Sequence, residues 1–408
     1  MNCRHCKKIL ESTFLDLGFS PPSNAYLGPK ELTEPEVYYP LILKVCINCW
    51  LVQTEDYTQT DKLFSNDYAY FSSVSKSWLK HAQKYSKTII QKLNLNADSF
   101  VIEVASNDGY LLKNFVKERI PCLGIEPTDS TANAAEIINV PVLREFFTEE
   151  LASQLVIEGK QADLVCGNNV YAHVPDINDF TKGLKTILKS NGTITLEFPH
   201  LMNLLESRQF DTVYHEHFSY LSLYTVSRIF SQVGLRVFDV DELSTHGGSL
   251  RIYGCHVEDE RSEAIKVSEL IAKEAEQGMR KLSTYINFQT YANQIKDDFL
   301  LFLINQKRNE KKIAAYGAAA KGNTLLNYAG VKTDLLPYVC DEGISKQGKY
   351  LPGSHIPILS PNILRDQQPD IVIILPWNIV DEVINRHSYI KEWGGKFVTF
   401  FPKFREFT

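Results

Sequence analysis

Four side chains that can take up or release protons stand next to one another near the middle of the sequence, in Tyr214-His215-Glu216-His217. A phenol, two imidazoles and a carboxylate are the groups with which an enzyme removes a proton from carbon or from a hydroxyl. The pattern by itself also fits a buried polar loop or a metal site. His215 and His217 have no third ligand at a spacing that favours a metal, so we interpret the stretch first as an acid-base site.

Cysteines occur in two pairs of equal spacing near the start of the chain, Cys3-x-x-Cys6 and Cys46-x-x-Cys49. Two such pairs fit one tetrahedral zinc ion bound by four thiolates, and the alternative is two redox-active pairs. With cysteine at every position, no position remains for a reactive water. The spacing therefore predicts a structural zinc ion that holds together a small N-terminal module, residues 1–65.

The composition is that of a globular protein of two or three domains, with 408 residues, 44% of them hydrophobic and 23% charged. The net charge of −6 argues against nucleic acid as a partner. The first residues lack the apolar core of a signal peptide, and no apolar run is long enough to span a bilayer. We therefore expect a cytoplasmic protein without a membrane partner, whose eight cysteines are thiols or metal ligands.

A buried-strand pattern at residues 100–104 is followed by a turn of small residues and a helical pattern that begins at Tyr110. This order is typical of the entry to a nucleotide-type cofactor site. The spacing Glu103-x-Ala105-x-Asn107-x-Gly109 resembles the motif of class I S-adenosylmethionine methyltransferases, in which glycines stand where Ala105 and Asn107 do here. A second strand at 121–127 carries Glu126, whose carboxylate suits the ribose hydroxyls of either S-adenosylmethionine or NAD. The absence of Gly-x-Gly-x-x-Gly favours the cofactor without a pyrophosphate. Residues 66–257 are thus predicted to form a methyltransferase domain.

The segment at the start of this domain, residues 66–75, is rich in tyrosine and hydroxyl groups. We interpret it as a lid that carries Tyr68 or Tyr70 into a cleft, and the alternative is a linker packed on the next domain. Apolar residues then recur at helical spacing over 76–93, which predicts a helix that leads into the domain.

Further strands are predicted at residues 163–167 and 193–200, and an antiparallel pair at 235–240 and 249–257 closes the sheet. In a doubly wound sheet, ligands lie at the carboxyl ends of the strands. His173 follows one strand end, and the stretch from Tyr214 to His217 lies in the long connection after the next. We therefore expect these side chains to converge on one cleft.

A second strand, turn and helix pattern begins at Lys312, after a charged stretch that we interpret as a connecting helical pair. Gly317 and Gly322 permit a close approach of the backbone to a ligand, and Lys321 could meet a phosphate at the helix start. The alternative for Lys321 is a solvated helix residue. Further strands are predicted at residues 336–340, 370–375 and 396–401. Residues 258–408 are thus predicted to hold the connector and a smaller α/β domain.

In their order and spacing, these segments resemble one family, the C-methyltransferases of nucleotide-linked deoxysugars, including the tetronitrose C-3′-methyltransferase type. The likeness covers the whole chain, and Ala105 departs from the more usual glycine of the family. The segments that carry it are the cysteine-paired module and residues 68–73, 103–109, 172–176, 214–217, 246–251 and 316–322.

The resemblance implies an α/β fold with a class I methyltransferase doubly wound sheet, a small N-terminal zinc-binding module and a second, Rossmann-like C-terminal domain. It implies methyl transfer from S-adenosylmethionine to C-3 of a 4-keto-deoxysugar carried on thymidine or another nucleoside diphosphate. Carbon becomes nucleophilic only after a proton leaves, and a neighbouring ketone makes that possible because the charge moves onto oxygen. The reaction thus needs a base, a donor at the ketone oxygen and an aligned methyl group. We expect a monomer.

Each candidate residue then has a role, with His217 as the general base because its ordinary pKa is near neutral. Glu216 would orient His217 or share its proton, Tyr214 with Tyr68 or Tyr70 would hold the ketone or enolate, and His173 would assist. We regard His215 as structural. The residues expected at the cofactor are Glu103, Ser106, Asn107, Gly109, Glu126 and Asn168, and those expected at the nucleoside diphosphate are Lys321, Asn323, Ser249 and Arg251.

Three other functions remain open at this point. An O- or N-methyltransferase would act on atoms that already carry lone pairs, so it needs a crowded acid-base loop less. An oxidoreductase would use NAD in either α/β domain. A non-enzymatic binding module would use the zinc segment to recruit a protein partner.

Overall fold

The computed structural model describes residues 1–55 and 71–407, so the predicted lid residues Tyr68 and Tyr70 lie outside the described part of the chain. The described residues form three sheets, each with its own hydrophobic face. Short 3-10 turns connect the elements at Glu31–Thr33, Ser72–Val74, Tyr171–His173, Phe210–Thr212, Thr245–Gly247, Trp377–Ile379 and Ser388–Trp393.

The N-terminal sheet is antiparallel and has the order β1-β2-β3-β9. Its strands are β1 (Ser12–Ser20), β2 (Tyr39–Val45), β3 (Val52–Thr54) and β9 (Ser219–Tyr220). Alternate residues of β2, namely Leu41, Leu43 and Val45, are buried, as expected of a strand with one face on the core. Because β9 follows His217 by only two residues, this sheet holds one end of the predicted acid-base loop.

The central sheet has seven strands in the order β10-β11-β8-β7-β4-β5-β6, parallel except for β11. The strands are β4 (Val101–Val104), β5 (Cys122–Ile125), β6 (Val142–Leu143), β7 (Ala162–Asn168), β8 (Leu188–Pro199), β10 (Leu235–Leu243) and β11 (Ser249–His256). The predicted doubly wound sheet and its closing antiparallel pair are confirmed. Buried residues such as Ile102 and Val165 lie on one face of this sheet and Val101 and Leu164 on the other, as helices on each side require.

Seven helices accompany this sheet in the described residues. They are α1 (Lys76–Leu93), α2 (Lys113–Lys117), α3 (Asp129–Ile137), α4 (Glu149–Ile157), α5 (Ile177–Ile187), α6 (Leu201–Glu206) and α7 (Leu223–Gln232). The helix predicted over residues 76–93 is confirmed. The helix predicted from Tyr110 begins only at Lys113, because Gly109 is in the left-handed region and the chain turns there before it winds.

The C-terminal sheet has six strands in the order β14-β13-β12-β15-β16-β17, and only the edge strand β17 is antiparallel. The strands are β12 (Ile313–Tyr316), β13 (Val339–Cys340), β14 (Ile358–Leu359), β15 (Ile371–Ile374), β16 (Lys396–Thr399) and β17 (Arg405–Phe407). The strand predicted from Leu336 starts only at Val339, since Pro337 has no N–H to pair.

The connector contains three helices, so the predicted helical pair is wrong in number. The helices of the connector and the C-terminal domain are α8 (Ile265–Glu276), α9 (Leu282–Ile286), α10 (Phe288–Arg308), α11 (Ala320–Tyr328), α12 (Ile363–Gln367) and α13 (Val380–Arg386). α9 and α10 are separated by a single residue, Asn287, which breaks what the sequence pattern indicates as one helix. No helix in the described ranges has the length and apolarity that a bilayer crossing needs.

Candidate active site

The loop between α6 and β9 orients His217 through both ring nitrogens. Nδ1 lies 3.1 Å from the Thr212 carbonyl oxygen and Nε2 lies 2.8 Å from the Tyr214 hydroxyl. A carbonyl oxygen can only accept, so Nδ1 carries the proton and Nε2 accepts from Tyr214. The arrangement presents a neutral imidazole whose basic lone pair is already directed at an exchangeable proton.

His173 lies beside His217, with the two ring centroids 4.5 Å apart. Burial lowers the pKa of His217 well below its usual 6.5, and the neighbouring imidazole of His173 lowers it further. Burial also lowers the pKa of His173 to about 4. Both rings are therefore neutral near pH 7, which is the state in which histidine is a base. The predicted convergence of these two residues is what the structure shows.

Glu216 and His215 face the N-terminal module. Glu216 is buried, and its Oε1 accepts a hydrogen bond from Asn24 Nδ2 at 3.1 Å. Burial raises the pKa of Glu216, and hydrogen bonds such as that from Asn24 lower it. His215 Nε2 lies 3.4 Å from the Tyr39 carbonyl oxygen on β2, and the His215 and Tyr39 rings pack edge to face. His215 thus contacts the neighbouring module.

Asp211 is a buried acid just before the acid-base loop, and it binds the C-terminal domain. Its Oδ2 accepts a hydrogen bond from Trp377 Nε1 at 2.7 Å. Burial raises the pKa of Asp211 to about 7, which the positive charge of Lys321 opposes. Gly247 packs so closely on the other side of the Trp377 ring that a Cβ there would overlap it. Sequence reasoning assigned no role to Asp211 or Trp377.

Lys321 lies over the Trp377 ring, 4.6 Å from its centroid, and its Nζ donates to Asn378 Oδ1 at 3.1 Å. Burial lowers the pKa of Lys321 to about 8, and Asp211 opposes that shift. The ammonium group also contributes to the lowered pKa of His217. The cation thus belongs to the electrostatic surroundings of the acid-base loop.

The other three residues expected at the nucleotide have structural partners. Asn323 Nδ2 donates to the Ser23 carbonyl oxygen at 2.6 Å, and the Ser249 hydroxyl donates to the Thr245 carbonyl oxygen at 3.0 Å. Arg251 forms a buried ion pair with Glu197 at 2.5 Å and lies over the Tyr85 ring. Their positions as substrate ligands stay predictions.

The expected cofactor residues converge at the carboxyl ends of β4, β5 and β7. The backbone N–H of Asn107 donates to Glu126 Oε2 at 2.9 Å, so the second-strand acid supports the turn after the first strand. Ala105 and Asn107 stand where the sequence motif has glycine, and both have positive φ, 57° and 48°. The turn therefore keeps the left-handed backbone that glycine favours.

The strand ends and the turn described above form a cradle for the cofactor. Its buried polar atoms without hydrogen-bond partners show whether a polar ligand would fit there. Both carboxylate oxygens of Glu103, the Ser106 hydroxyl and both amide atoms of Asn168 are buried without a hydrogen bond of ordinary geometry from the described residues. Burial raises the pKa of Glu103 well above its usual value, and the nearby Tyr110 hydroxyl opposes that shift. Buried polar atoms without partners are costly, and S-adenosylmethionine carries hydroxyl, amino and carboxylate groups that would satisfy them. The donor set fits the cofactor.

Two further contacts shape the cradle. The Asn107 side-chain oxygen accepts from the Ser72 backbone N–H at 2.9 Å, which ties the C-terminal part of the predicted lid segment to the cofactor turn. Trp78 of α1 stacks on Tyr110 with ring centroids 5.9 Å apart and meets the His246 ring edge to face at 5.0 Å. Trp78 was not predicted as a site residue, because a tryptophan in an amphipathic helix indicates an ordinary core position.

The thiols of Cys3, Cys6, Cys46 and Cys49 form one cluster in which all ligand atoms lie within 4.8 Å of one another. Cys3 Sγ and Cys49 Sγ are 3.5 Å apart, as are Cys6 Sγ and Cys46 Sγ. Thiolates at zinc–sulfur distances of about 2.3 Å in a tetrahedron lie at comparable separations. The residues therefore fit the predicted four-thiolate zinc ion.

Comparison with known proteins identifies the family. Family models match a zinc-binding domain at residues 3–64, a methyltransferase domain at 78–240 and a C-methyltransferase C-terminal domain at 244–402. The C-methyltransferase NovU from Streptomyces niveus is 31% identical over 401 residues, which cover 98% of this chain and 95% of the relative. The chain belongs to the C-methyltransferase family. This C-methyltransferase uses S-adenosylmethionine, contains a zinc site and forms a carbon–carbon bond, so the oxidoreductase, O- or N-methyltransferase and binding-module alternatives fall away.

Solved structures of other proteins are similar to part of this C-methyltransferase. Magnesium protoporphyrin IX methyltransferase from Synechocystis is 12% identical and covers 44% of this chain and 83% of that chain, with a TM-score of 0.36. The YcgJ protein from Bacillus subtilis is 13% identical over 44% of this chain and 99% of that chain, with a TM-score of 0.36.

Proposed function

We propose that this C-methyltransferase acts on C-3 of a 4-keto-deoxysugar linked to a nucleoside diphosphate, with thymidine as the nucleoside. The hydrogen-bonded pair of Tyr214 and His217 carries the proposal, because a carbon becomes nucleophilic only when a positioned base removes its proton. The resemblance of the sequence segments to deoxysugar C-methyltransferases supports the choice of substrate.

The chemistry requires removal of the C-3 proton, which the adjacent ketone acidifies. S-Adenosylmethionine, when bound, supplies an electrophilic methyl group on its sulfonium. Glu103, Ser106 and Asn168 would hold that cofactor through the polar atoms that lack partners in the cradle, with Asn107, Gly109 and Glu126 forming the turn. The reacting carbon would then lie between the cradle and the acid-base loop.

His217 Nε2 is the general base in this proposal. The Thr212 carbonyl oxygen fixes the ring by accepting from Nδ1, so the lone pair on Nε2 keeps its direction during the reaction. Tyr214 holds that lone pair in the free enzyme and turns to donate to the ketone oxygen when the sugar binds. His173, with its ring against His217, supports the ring from the strand end of β7.

We assign a separate role to each of the three segments of the chain. Residues 1–65 support the loop, residues 66–257 bind the methyl donor, and residues 258–408 bind the nucleotide. Lys321 is a cation of the last of these segments. Its contact with the Trp377 ring places it beside the acid-base loop. Its positive charge suits either a phosphate or the negative charge that develops on the enolate oxygen.

The test is product analysis with carbon-labelled S-adenosylmethionine and a thymidine-diphosphate-linked 4-keto-deoxysugar. The proposal predicts a one-bond carbon–carbon coupling between the labelled methyl and C-3 in the NMR spectrum of the product. The same sugar without the nucleoside diphosphate is the matched control and should react poorly. A methyl bound to oxygen or nitrogen, or no product from any nucleotide-linked 4-keto sugar, would rule the proposal out.

A further inference from the structure

A loop of the zinc module, residues 22–27, enters the acid-base site from outside the methyltransferase domain. Asn24 Nδ2 donates to Glu216 Oε1 at 3.1 Å. A carboxylate oxygen only accepts, so the amide nitrogen is the atom that faces Glu216. The Tyr26 hydroxyl lies beside the same amide, 3.4 Å from Asn24 Oδ1.

The C-terminal domain holds this loop on both sides of Asn24. The Ser23 carbonyl oxygen accepts from Asn323 Nδ2 at 2.6 Å, and the Tyr26 hydroxyl donates to the Ala318 carbonyl oxygen at 2.7 Å. Ala318 lies in the turn before α11, and Asn323 lies in the first turn of α11. Three segments of the chain therefore meet at one carboxylate, and the Asn24 side chain has little freedom to leave it.

The second carboxylate oxygen of Glu216, Oε2, has different surroundings from Oε1. Glu216 is 1% exposed, and its Oε2 is buried without a hydrogen bond of ordinary geometry from the described residues, although the backbone N–H groups of Asn24 and Glu216 also act on the carboxylate. A buried carboxylate oxygen without a donor is costly unless a ligand satisfies it. The charge of the Glu216 carboxylate acts on the Tyr220 hydroxyl, and the Tyr220 ring lies 5.8 Å from that of His217, so the carboxylate lies beside the acid-base site.

We propose that Asn24 is a positioning residue of this site, which fixes Glu216 Oε1 and leaves Oε2 as the oxygen that meets the sugar. The inference rests on the proposed function. It also gives the zinc module a part in catalysis, since the loop that carries Asn24 belongs to that module.

The test is Asn24→Asp, which keeps the shape of the side chain and replaces its donor by a second carboxylate. At alkaline pH two ionised carboxylates repel each other, so kcat should fall by about tenfold or more while affinity for S-adenosylhomocysteine stays unchanged. As the pH falls, one proton shared by the pair restores the hydrogen bond, and the difference from the wild type should shrink. A side chain with only a structural role would not show this recovery. Ala25→Ser changes the exposed neighbour in the same loop and should leave the pH profile unchanged.

Zinc content and thermal unfolding identify a folding failure, in which case Asn24→Ser replaces Asn24→Asp and should show the same loss of kcat without the recovery at low pH. A pH profile of Asn24→Asp equal to that of Ala25→Ser would overturn the inference. If the wild type does not methylate the sugar, the proposed function fails separately. The inference is then decided by infrared titration of the Glu216 carboxyl, assigned with Glu216→Gln, which Asn24→Asp must shift to higher pH.

Discussion

The Tyr214 hydroxyl lies 2.8 Å from His217 Nε2, while Nδ1 of the same ring lies 3.1 Å from the Thr212 carbonyl oxygen. The tyrosine therefore donates to the neutral form of the histidine and stabilises it. Burial acts in the same direction and holds the pKa of His217 well below 6.5. A histidine in this state is ready to accept a proton at neutral pH.

The pH profile of Tyr214→Phe tests this relationship. A base must be unprotonated to work, so kcat/KM of the wild type should be flat near pH 7 and fall only on the acid side of 6.5. Without the phenol, the neutral imidazole loses a donor, its pKa rises, and the acid limb should move to higher pH as kcat falls. Tyr224→Phe, on α7 beside Arg228, is the matched control. An acid limb that stays in place in Tyr214→Phe would contradict the assignment.

Trp377→Phe tests whether the C-terminal domain positions the acid-base loop. The substitution removes the indole N–H from the buried Asp211, three residues before Tyr214. We expect the free energy of unfolding to fall by about 1–3 kcal/mol and kcat by roughly 10- to 100-fold. Trp393→Phe removes an indole donor to the Pro369 carbonyl oxygen instead, and should affect stability but not kcat. Urea unfolding and steady-state kinetics measure the two effects, and equal kcat losses in both variants would refute the positioning role.

Removal of zinc should abolish methyl transfer before it abolishes cofactor binding. The thiolate cluster supports the sheet in which β3 pairs with β9, directly after His217, and it supports the loop that carries Asn24. The S-adenosylmethionine cradle lies on the central sheet, one face of which has a core that the zinc module does not share. After chelation, calorimetry should still detect S-adenosylhomocysteine while turnover is lost, and zinc should restore turnover. Full activity without zinc would contradict this dependence.

Gly109→Ala should weaken the cofactor site more than a glycine substitution of equal backbone strain. Gly109 and Gly159 both have φ of +74°, but a Cβ at Gly109 would lie 3.0 Å from Val140 and 3.1 Å from Ala135, whereas a Cβ at Gly159 meets nothing within 4 Å. Both variants should lose about 1–2 kcal/mol of stability. Only Gly109→Ala should also bind S-adenosylhomocysteine more weakly, by about tenfold or more. Titration calorimetry on the two variants decides, and equal affinities would show that the turn tolerates a side chain.

Local patterns in the sequence were enough to predict the cysteine cluster and the central sheet. The spacing of Cys3, Cys6, Cys46 and Cys49 encodes a tetrahedral site directly, because each pair already fixes two ligands. The apolar strand pattern and the small residues of the turn before Gly109 likewise determine the local conformation without help from distant residues. The neighbourhood of His173 and His217 followed from the rule that strand ends meet at one edge of the sheet.

Contacts between segments distant in the chain could not be predicted in this way. Asn24 contacts Glu216 and Trp377 contacts Asp211, across 192 and 166 residues of the chain. No periodicity or motif in the sequence predicts such contacts. The pairing of β9 with β3 was missed for the same reason, since two residues are too few to show an alternating pattern. The ion pair of Arg251 with Glu197 was also not predicted, because the sequence does not reveal which buried charge lies opposite another.

The most direct test of the central claim is hydrogen exchange at C-3 of the keto sugar in deuterium oxide. S-Adenosylhomocysteine replaces the methyl donor, so proton removal can occur without methyl transfer. We predict that the wild type exchanges the C-3 hydrogen and that His217→Asn, which still binds S-adenosylhomocysteine, does not. Exchange by His217→Asn at the rate of the wild type would contradict the role of His217 as the base.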